Sequence, residues 1–236
     1  MNPQDIKIIE FFAGRQSFSK AARKKGIQTF TTDIVDFKGI DYVTDIMDFD
    51  PKEVPFKPNV VWCSVPCESF SVSSIGHNWN LENGIYTPTS QRARDAIKVV
   101  KTAIKWIEYY NPKYYFIENP MGMLRKMPMM KKLPKRKTVT YCQYGDHRMK
   151  PTDIWTNSTV WRPKLMCNYG DPCHDAAPRG SRTGTQGMAN ATDRSEIPAQ
   201  LCTEIVNSIV LEKSVVEAQQ KRIQSISKKY HHGHRI

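Results

Sequence analysis

The chain has 236 residues, enough to bury one substantial core, so a single domain with an elaboration is expected. Charged residues at 25% and aromatics at 10% make a globular composition and exclude a largely disordered or fibrous chain. A formal net charge of +12 points to a polyanionic partner, while no apolar run approaches the ~18 residues of a membrane span.

The opening MNPQDIKIIEFF lacks the basic-then-apolar order of a secretory signal, so a reducing, cytoplasmic setting is expected. The six cysteines then serve as nucleophile, metal ligands or core rather than as bridges. Residues 6–12 read as a strand, with Ala13-Gly14 as the turn out of it. A helix follows over 17–25, with Ser17 as N-cap, Phe18, Ala21 and Ala22 as inner stripe, and Gly26 as the stop. Strands are predicted over 29–33 and 42–46, and again at Val60-Val61-Trp62-Cys63. Strand–helix–strand alternation implies a parallel α/β sheet with helices on its faces. In such sheets the turn after the first strand walls a cofactor site, and an acid ending the second strand binds ribose hydroxyls; Asp33 stands there, where a plain surface Asp is the alternative.

Val65-Pro66 ends the Val60 strand, because proline donates nothing to a ladder, and Cys67 opens a serine-rich loop. A thiol at the carboxyl end of a strand is where an α/β enzyme places a nucleophile. Cys63, inside the apolar run, reads as core. Residues 68–90 form a long loop pivoting on Gly76 and Gly84, and a loop of this length is usually functional. An amphipathic helix over 90–109 leads to a strand at Tyr114-Tyr115-Phe116-Ile117 that ends in Glu118, which puts Cys67 and Glu118 at one sheet edge. The run RKMPMMKKLPKRK over 125–137 carries seven cations and is read as a phosphate-contacting surface beside that edge, with Lys131, Lys132, Lys135 and Arg136 as contacts; a solvated loop is the alternative. Residues 138–144 and 153–156 read as an edge hairpin. The stretch 161–194 has no periodicity; Arg179, Arg182 and Gln186 suit nucleic-acid contacts, with Gln186 a candidate to fill the space left by a displaced base. A helix is predicted from Ile197 to about residue 230, ahead of the basic tail KKYHHGHRI.

Phe11-Phe12-Ala13-Gly14, Asp33, Asp45-Ile46, Pro66-Cys67 with Ser69-Phe70-Ser71, Glu118-Asn119-Pro120 and Gln143-Tyr144-Gly145 occur in this order. Together they resemble the S-adenosylmethionine-dependent DNA cytosine-5 methyltransferases, in particular small phage-encoded members, for which the host cytoplasm is the setting. The resemblance covers residues 6 to about 157 well and the last helix loosely. It implies a Rossmann-like class I methyltransferase sheet with helices on both faces. It implies a catalytic domain over 1–157, a reduced target-recognition segment over 158–196, and a helix over 197–236 packing back on the domain. Phe12 would pack on the adenine, Asp33 hold the ribose and Asp45 meet the adenine amino group, with Ala13, Gly14, Ile34, Ile46 and Pro66 completing the wall. Cys67 would add to the cytosine ring, with Glu118 hydrogen-bonding its N3 and amine. The family's arginine after Gln-Tyr-Gly is out of register here; Arg148 is assigned to that place, with Lys150 as the alternative.

The partner implied is double-stranded DNA, from which the target base is flipped out, and the chain is expected to be monomeric. The loop after the first strand departs from the family, since Arg15-Gln16-Ser17 follow Gly14 where glycines are usual. Arg15 either faces solvent or pairs with a carboxylate on a modified cofactor. No metal is assigned, although Cys167, Cys173 and His174 could bind zinc with Cys142 or His147 completing the set; the spacing is not a standard zinc pattern. Two alternatives stand beside DNA methylation: the same chemistry on a tRNA-type substrate, and a non-catalytic nucleic-acid binder.

Overall fold

Strands buried on both faces build the centre of the fold, in a computed structural model that describes residues 2–175 and 190–211. In chain order the strands are β1 (Lys7–Phe11), β2 (Gln28–Asp33), β3 (Tyr42–Val43), β4 (Val60–Ser64), β5 (Trp79–Glu82), β6 (Ile85–Pro88), β7 (Tyr114–Pro120), β8 (Arg136–Thr140) and β9 (Pro151–Thr156). Seven of them form one sheet in the order β3-β2-β1-β4-β7-β9-β8. From β3 to β7 the neighbours run parallel, and β9 lies antiparallel to both β7 and β8. The chain builds outward from β1 to β3, then returns to lay β4 on the other side of β1. That reversal opens a crevice at the carboxyl ends of β1 and β4, where sheets of this kind bind ligands.

The helices are α1 (Ser17–Arg23), α2 (Ile75–Asn78), α3 (Gln91–Tyr110), α4 (Pro128–Lys131) and α5 (Ala191–Ser195), followed by helical residues 199–211. Alternate strand residues feed two cores. Ile9, Val61, Cys63, Ile117 and Trp155 pack with Val100, Ala103 and Trp106 of α3. Ile8, Val60, Trp62, Phe116 and Ile154 pack with Phe18 and Ala22 of α1 and with Leu201, Ile205 and Ile209 of the last helix. This is why the strand sequences read as continuous apolar runs: each successive side chain meets a different helical layer.

Three local expectations change. Helix α1 has Gln16, not Ser17, as its N-cap, in the left-handed region (φ 57°) and without a side-chain cap. Its first amides are instead taken by Glu10 of β1, which accepts from Phe18 N at 3.4 Å and Ser19 N at 2.7 Å. The segment 68–90 is not one open loop: a short 3-10 turn and α2 lead into the β5–β6 hairpin, closed by the two-residue turn Asn83-Gly84 with both φ positive. An Asn-Gly pair suits that turn because both positions need a left-handed backbone. Lastly, β8 ends at Thr140, and Tyr141–Tyr144 coil into a 3-10 turn stopped by Gly145 at φ 82°.

Candidate active site

The ends of β1, β2, β3 and β4 enclose a cleft of about 460 Å³, lined by Phe11, Phe12, Thr32, Asp33, Ile34, Thr44, Asp45, Ile46, Pro66 and Val99. Its mainly apolar lining, with two carboxylates, suits the base and sugar of a nucleoside. Six of the residues expected to hold the cofactor, Phe12, Asp33, Ile34, Asp45, Ile46 and Pro66, are among them. Ala13 and Gly14 are not, but Gly14 N donates to Asp33 Oδ2 at 2.9 Å, so the turn after β1 is tied to the acid of β2. Asp33 Oδ1 also accepts from Val35 N at 2.9 Å. Each carboxylate oxygen keeps a lone pair for a ligand hydroxyl. Phe12 holds a positive φ of 55°, uncommon for an aromatic residue and costing ~1–3 kcal/mol, which the surrounding strands must offset. Thr32, Thr44 and Val99 were missed in the sequence; Val99 comes from α3 and carries no motif of its own.

Pro66 borders the cleft, and Cys67, half-buried, is the next residue. Glu118 stands opposite Ser64 in the β4–β7 register and is buried. Tyr141 donates its hydroxyl to Glu118 Oε1 at 3.0 Å. Lys150 lies over the Tyr141 ring, 4.7 Å from its centre, and donates to the Arg194 carbonyl at 2.6 Å. Cys67, Glu118 and Lys150 feel one another's charge. Burial, then Glu118, pushes the Cys67 thiol up, while Lys150 and Arg194 pull it down. Burial lifts the Glu118 carboxyl above the ordinary carboxylate range, against the pull of Lys150 and the Tyr141 hydrogen bond. Burial lowers the Lys150 amine, which Glu118 and Cys67 counter. The edge thus offers a thiol, a carboxyl biased towards its protonated form and a poorly solvated ammonium around one space.

Known proteins resemble this chain in sequence and fold. The chain is 29% identical over 196 residues to a probable DNA (cytosine-5)-methyltransferase of Frog virus 3 (isolate Goorha), covering 80% of this chain and 86% of the viral protein. The chain is similar to a DNA (cytosine-5)-methyltransferase over most of its length. No family model matches it. Among solved structures, a protein described as a DNA modification methyltransferase encoded within an E. coli prophage aligns at a TM-score of 0.50 and 11% identity, over 69% of this chain and 52% of that one. The Spodoptera frugiperda DNMT2 structure aligns at 0.43 and 15% identity, over 71% of this chain and 57% of that one. The chain thus spans a little over half the length of these solved structures.

Arg148 does not join Cys67 and Glu118 as expected. Its guanidinium is committed to Asp146, with Nε at 2.8 Å from Oδ1, and to the carbonyls of Asp193, Arg194 and Glu196. The nearby carboxylate and three convergent carbonyls make that pocket the better site for a planar fork. Lys150, two residues on and at a positive φ of 26°, takes the position beside Cys67 and Glu118. Arg15 is exposed, as one of its two readings had it, and there it pairs with Asp193 of α5.

The loop carrying Cys67 is fixed from three sides. Asn119 Nδ2 donates to Val65 O at 2.9 Å, Met123 N donates to Phe70 O at 2.7 Å, and Trp79 Nε1 donates to Ser69 O at 2.7 Å. Trp79, at the root of the β5–β6 hairpin, stacks on Phe70 with ring centres 5.5 Å apart. Gly122 is required here, because a Cβ would lie 2.3 Å from the Phe70 carbonyl oxygen. Of the basic run, Lys131, Lys132, Lys135 and Arg136 are exposed. Arg125 instead binds buried Asp153 at 2.8 Å, and Arg136 Nε lies 3.7 Å from the same carboxylate. Arg136 also opens β8, the edge strand two out from β7. Arg179, Arg182 and Gln186 lie outside the described residues, as does the tail beyond residue 211. Among the described residues no helix is long and apolar enough to cross a membrane.

Proposed function

We propose that this chain transfers a methyl group from S-adenosylmethionine to C5 of a cytosine flipped out of double-stranded DNA, by way of a covalent Cys67 adduct at C6. The observation that carries the reading is that Cys67 follows directly on Pro66, a wall of the β1/β4 cleft, and faces Glu118 and Lys150. Phe12, Asp33, Ile34, Asp45, Ile46 and Pro66 would hold the cofactor, whose sulfonium carries an electrophilic methyl group.

The chain's own residues account for the rest. Cytosine C5 is a poor nucleophile until a thiolate adds at C6 and turns the ring into an enamine. Cys67 supplies that sulfur. Glu118, kept towards its protonated form by burial, donates to N3 and draws electron density from the ring as the C6 bond forms. Lys150 stabilises the thiolate before addition and the ring oxygen after it, in the place sequence reading gave to Arg148. Loss of the C5 proton to water then returns the electron pair that expels Cys67 from C6. The β5–β6 hairpin, anchored through Trp79 beside the nucleophile, is placed to hold the displaced base out of the duplex. Lys131, Lys132 and Lys135, with Arg179, Arg182 and Gln186, supply phosphate and base contacts, to which Arg136 adds in part.

DNA carrying 5-fluorocytosine tests the proposal, because fluorine at C5 blocks the release step. The wild type should form a denaturation-resistant complex in the presence of S-adenosylmethionine, and Cys67→Ser should not. Trapping by Cys67→Ser would refute the assignment. Trapping of fluorinated RNA but not DNA would keep the chemistry and move the substrate to RNA.

A further inference from the structure

Away from the catalytic edge, three thiols and an imidazole converge although they are scattered over 33 positions of sequence. Cys142 belongs to the 3-10 turn Tyr141–Tyr144, and Cys167, Cys173 and His174 come from the irregular segment after β9. Their donor atoms all lie within 4.8 Å of one another. Cys142 Sγ is 3.0 Å from Cys167 Sγ and 3.6 Å from Cys173 Sγ. His174 Nδ1 is 3.7 Å from both Cys167 Sγ and Cys173 Sγ. A tetrahedral zinc with bonds of ~2.3 Å to sulfur and ~2.0–2.1 Å to nitrogen places its ligands roughly 3.5–3.8 Å apart. Three of the four separations fall close to that edge length, the Cys142–Cys167 pair being shorter at 3.0 Å, and the donor set is the soft one that selects zinc.

We infer that Cys142, Cys167, Cys173 and His174 form a closed structural zinc site. Sequence spacing concealed it, because the first ligand sits 25 residues before the second and reaches it only through the fold. His147, the other residue considered for the fourth place, is not in the cluster; its carbonyl instead accepts from Asp175 N at 2.8 Å, closing the segment over the site. Thr140 Oγ1 accepts from Cys167 N at 3.0 Å and so orients that ligand. The site joins the turn bearing Tyr141, which contacts Glu118, to the segment that leads towards Arg179, Arg182 and Gln186. Zinc would therefore staple the base of the DNA-recognition segment to the catalytic edge. The metal site itself does not depend on methyl transfer.

Metal analysis of the full chain purified without chelator should give about one zinc per chain, three thiolates and one imidazole being a closed set. Replacing zinc with cobalt(II) should produce the intense visible bands of a tetrahedral thiolate site. Cys142→Ser and His174→Ala should lose most of the metal, His174→Cys should retain it, and Cys67→Ser and His147→Ala should retain it fully. If the ligand variants fail to fold, the cobalt spectrum of the wild type still decides. Wild-type protein that carries no zinc, takes up no cobalt and exposes all of its surface thiols to alkylation would overturn the inference. A Cys142–Cys167 disulfide found by mass spectrometry of freshly alkylated protein would overturn it as well.

Discussion

Glu10 gives the sharpest quantitative test of the fold around the cofactor loop. It is buried in β1, between the first amides of α1, with Arg23 as the charged group that favours its ionised form. Burial lifts its carboxyl from the ordinary 4.5 to about 7, the amide hydrogen bonds offsetting only part of the cost. Below pH 4.5 the group is protonated in both folded and unfolded chains and takes nothing from stability. Between 4.5 and about 7 the unfolded chain releases a proton that the folded chain keeps, so stability falls as pH rises. Above about 7 both states are ionised and the whole penalty is present. The span from 4.5 to about 7, at ~1.36 kcal/mol per pH unit, amounts to roughly 3 kcal/mol. Glu10→Gln removes the titration while keeping one acceptor oxygen for Ser19 N. Urea unfolding of both proteins at pH 5 and pH 8 isolates the effect, because other titrating groups, Glu118 included, are common to both. The wild type should lose roughly 2.5 kcal/mol more than Glu10→Gln over that interval, since part of the effect already lies below pH 5. Parallel pH dependences in the two proteins would refute the reasoning.

Three further outcomes are expected. Lys150→Met should keep the fold yet slow alkylation of Cys67 near pH 8, since Lys150 is the first group pulling that thiol down; Arg148→Met should instead destabilise by about 3 kcal/mol or more, leaving Asp146 half-buried without its partner, as seen by denaturant unfolding. A reversal of the two phenotypes would return the catalytic assignment to Arg148. Gly122→Ala should cost about 1–3 kcal/mol and lower turnover, because the new methyl meets the Phe70 carbonyl rather than a yielding side chain; an unchanged thermal midpoint would show that the loop has slack. Asp33→Ala and Asp45→Ala should each weaken S-adenosylmethionine binding by about 1 kcal/mol or more in calorimetry, and unaltered affinity in both would place the cofactor elsewhere.

The sequence by itself determined the central strands of the sheet and placed Cys67 and Glu118 at the ends of two of them. Runs such as Val60–Cys63 and Tyr114–Ile117 are apolar on both faces, so they had to be central strands. The proline after Val65 and the charge of Glu118 then marked where those strands reach solvent and ligand. The hairpin turning at Asn83-Gly84 lay hidden in the loop reading of 68–90, because no strong alternation flanks it. Only the tertiary structure decided which side chains meet. Arg148 and Lys150 are two residues apart and both cationic, and what separates them is that Asp146 and the carbonyls of 193–196 surround one while Glu118 and Cys67 surround the other. Helix α1 is capped from β1, not from its own sequence, and Cys142 finds Cys167 across 25 positions. Periodicity and turn chemistry are local and survive in the linear order. Burial, charge pairing and ligand geometry arise between segments that only the folded chain brings together.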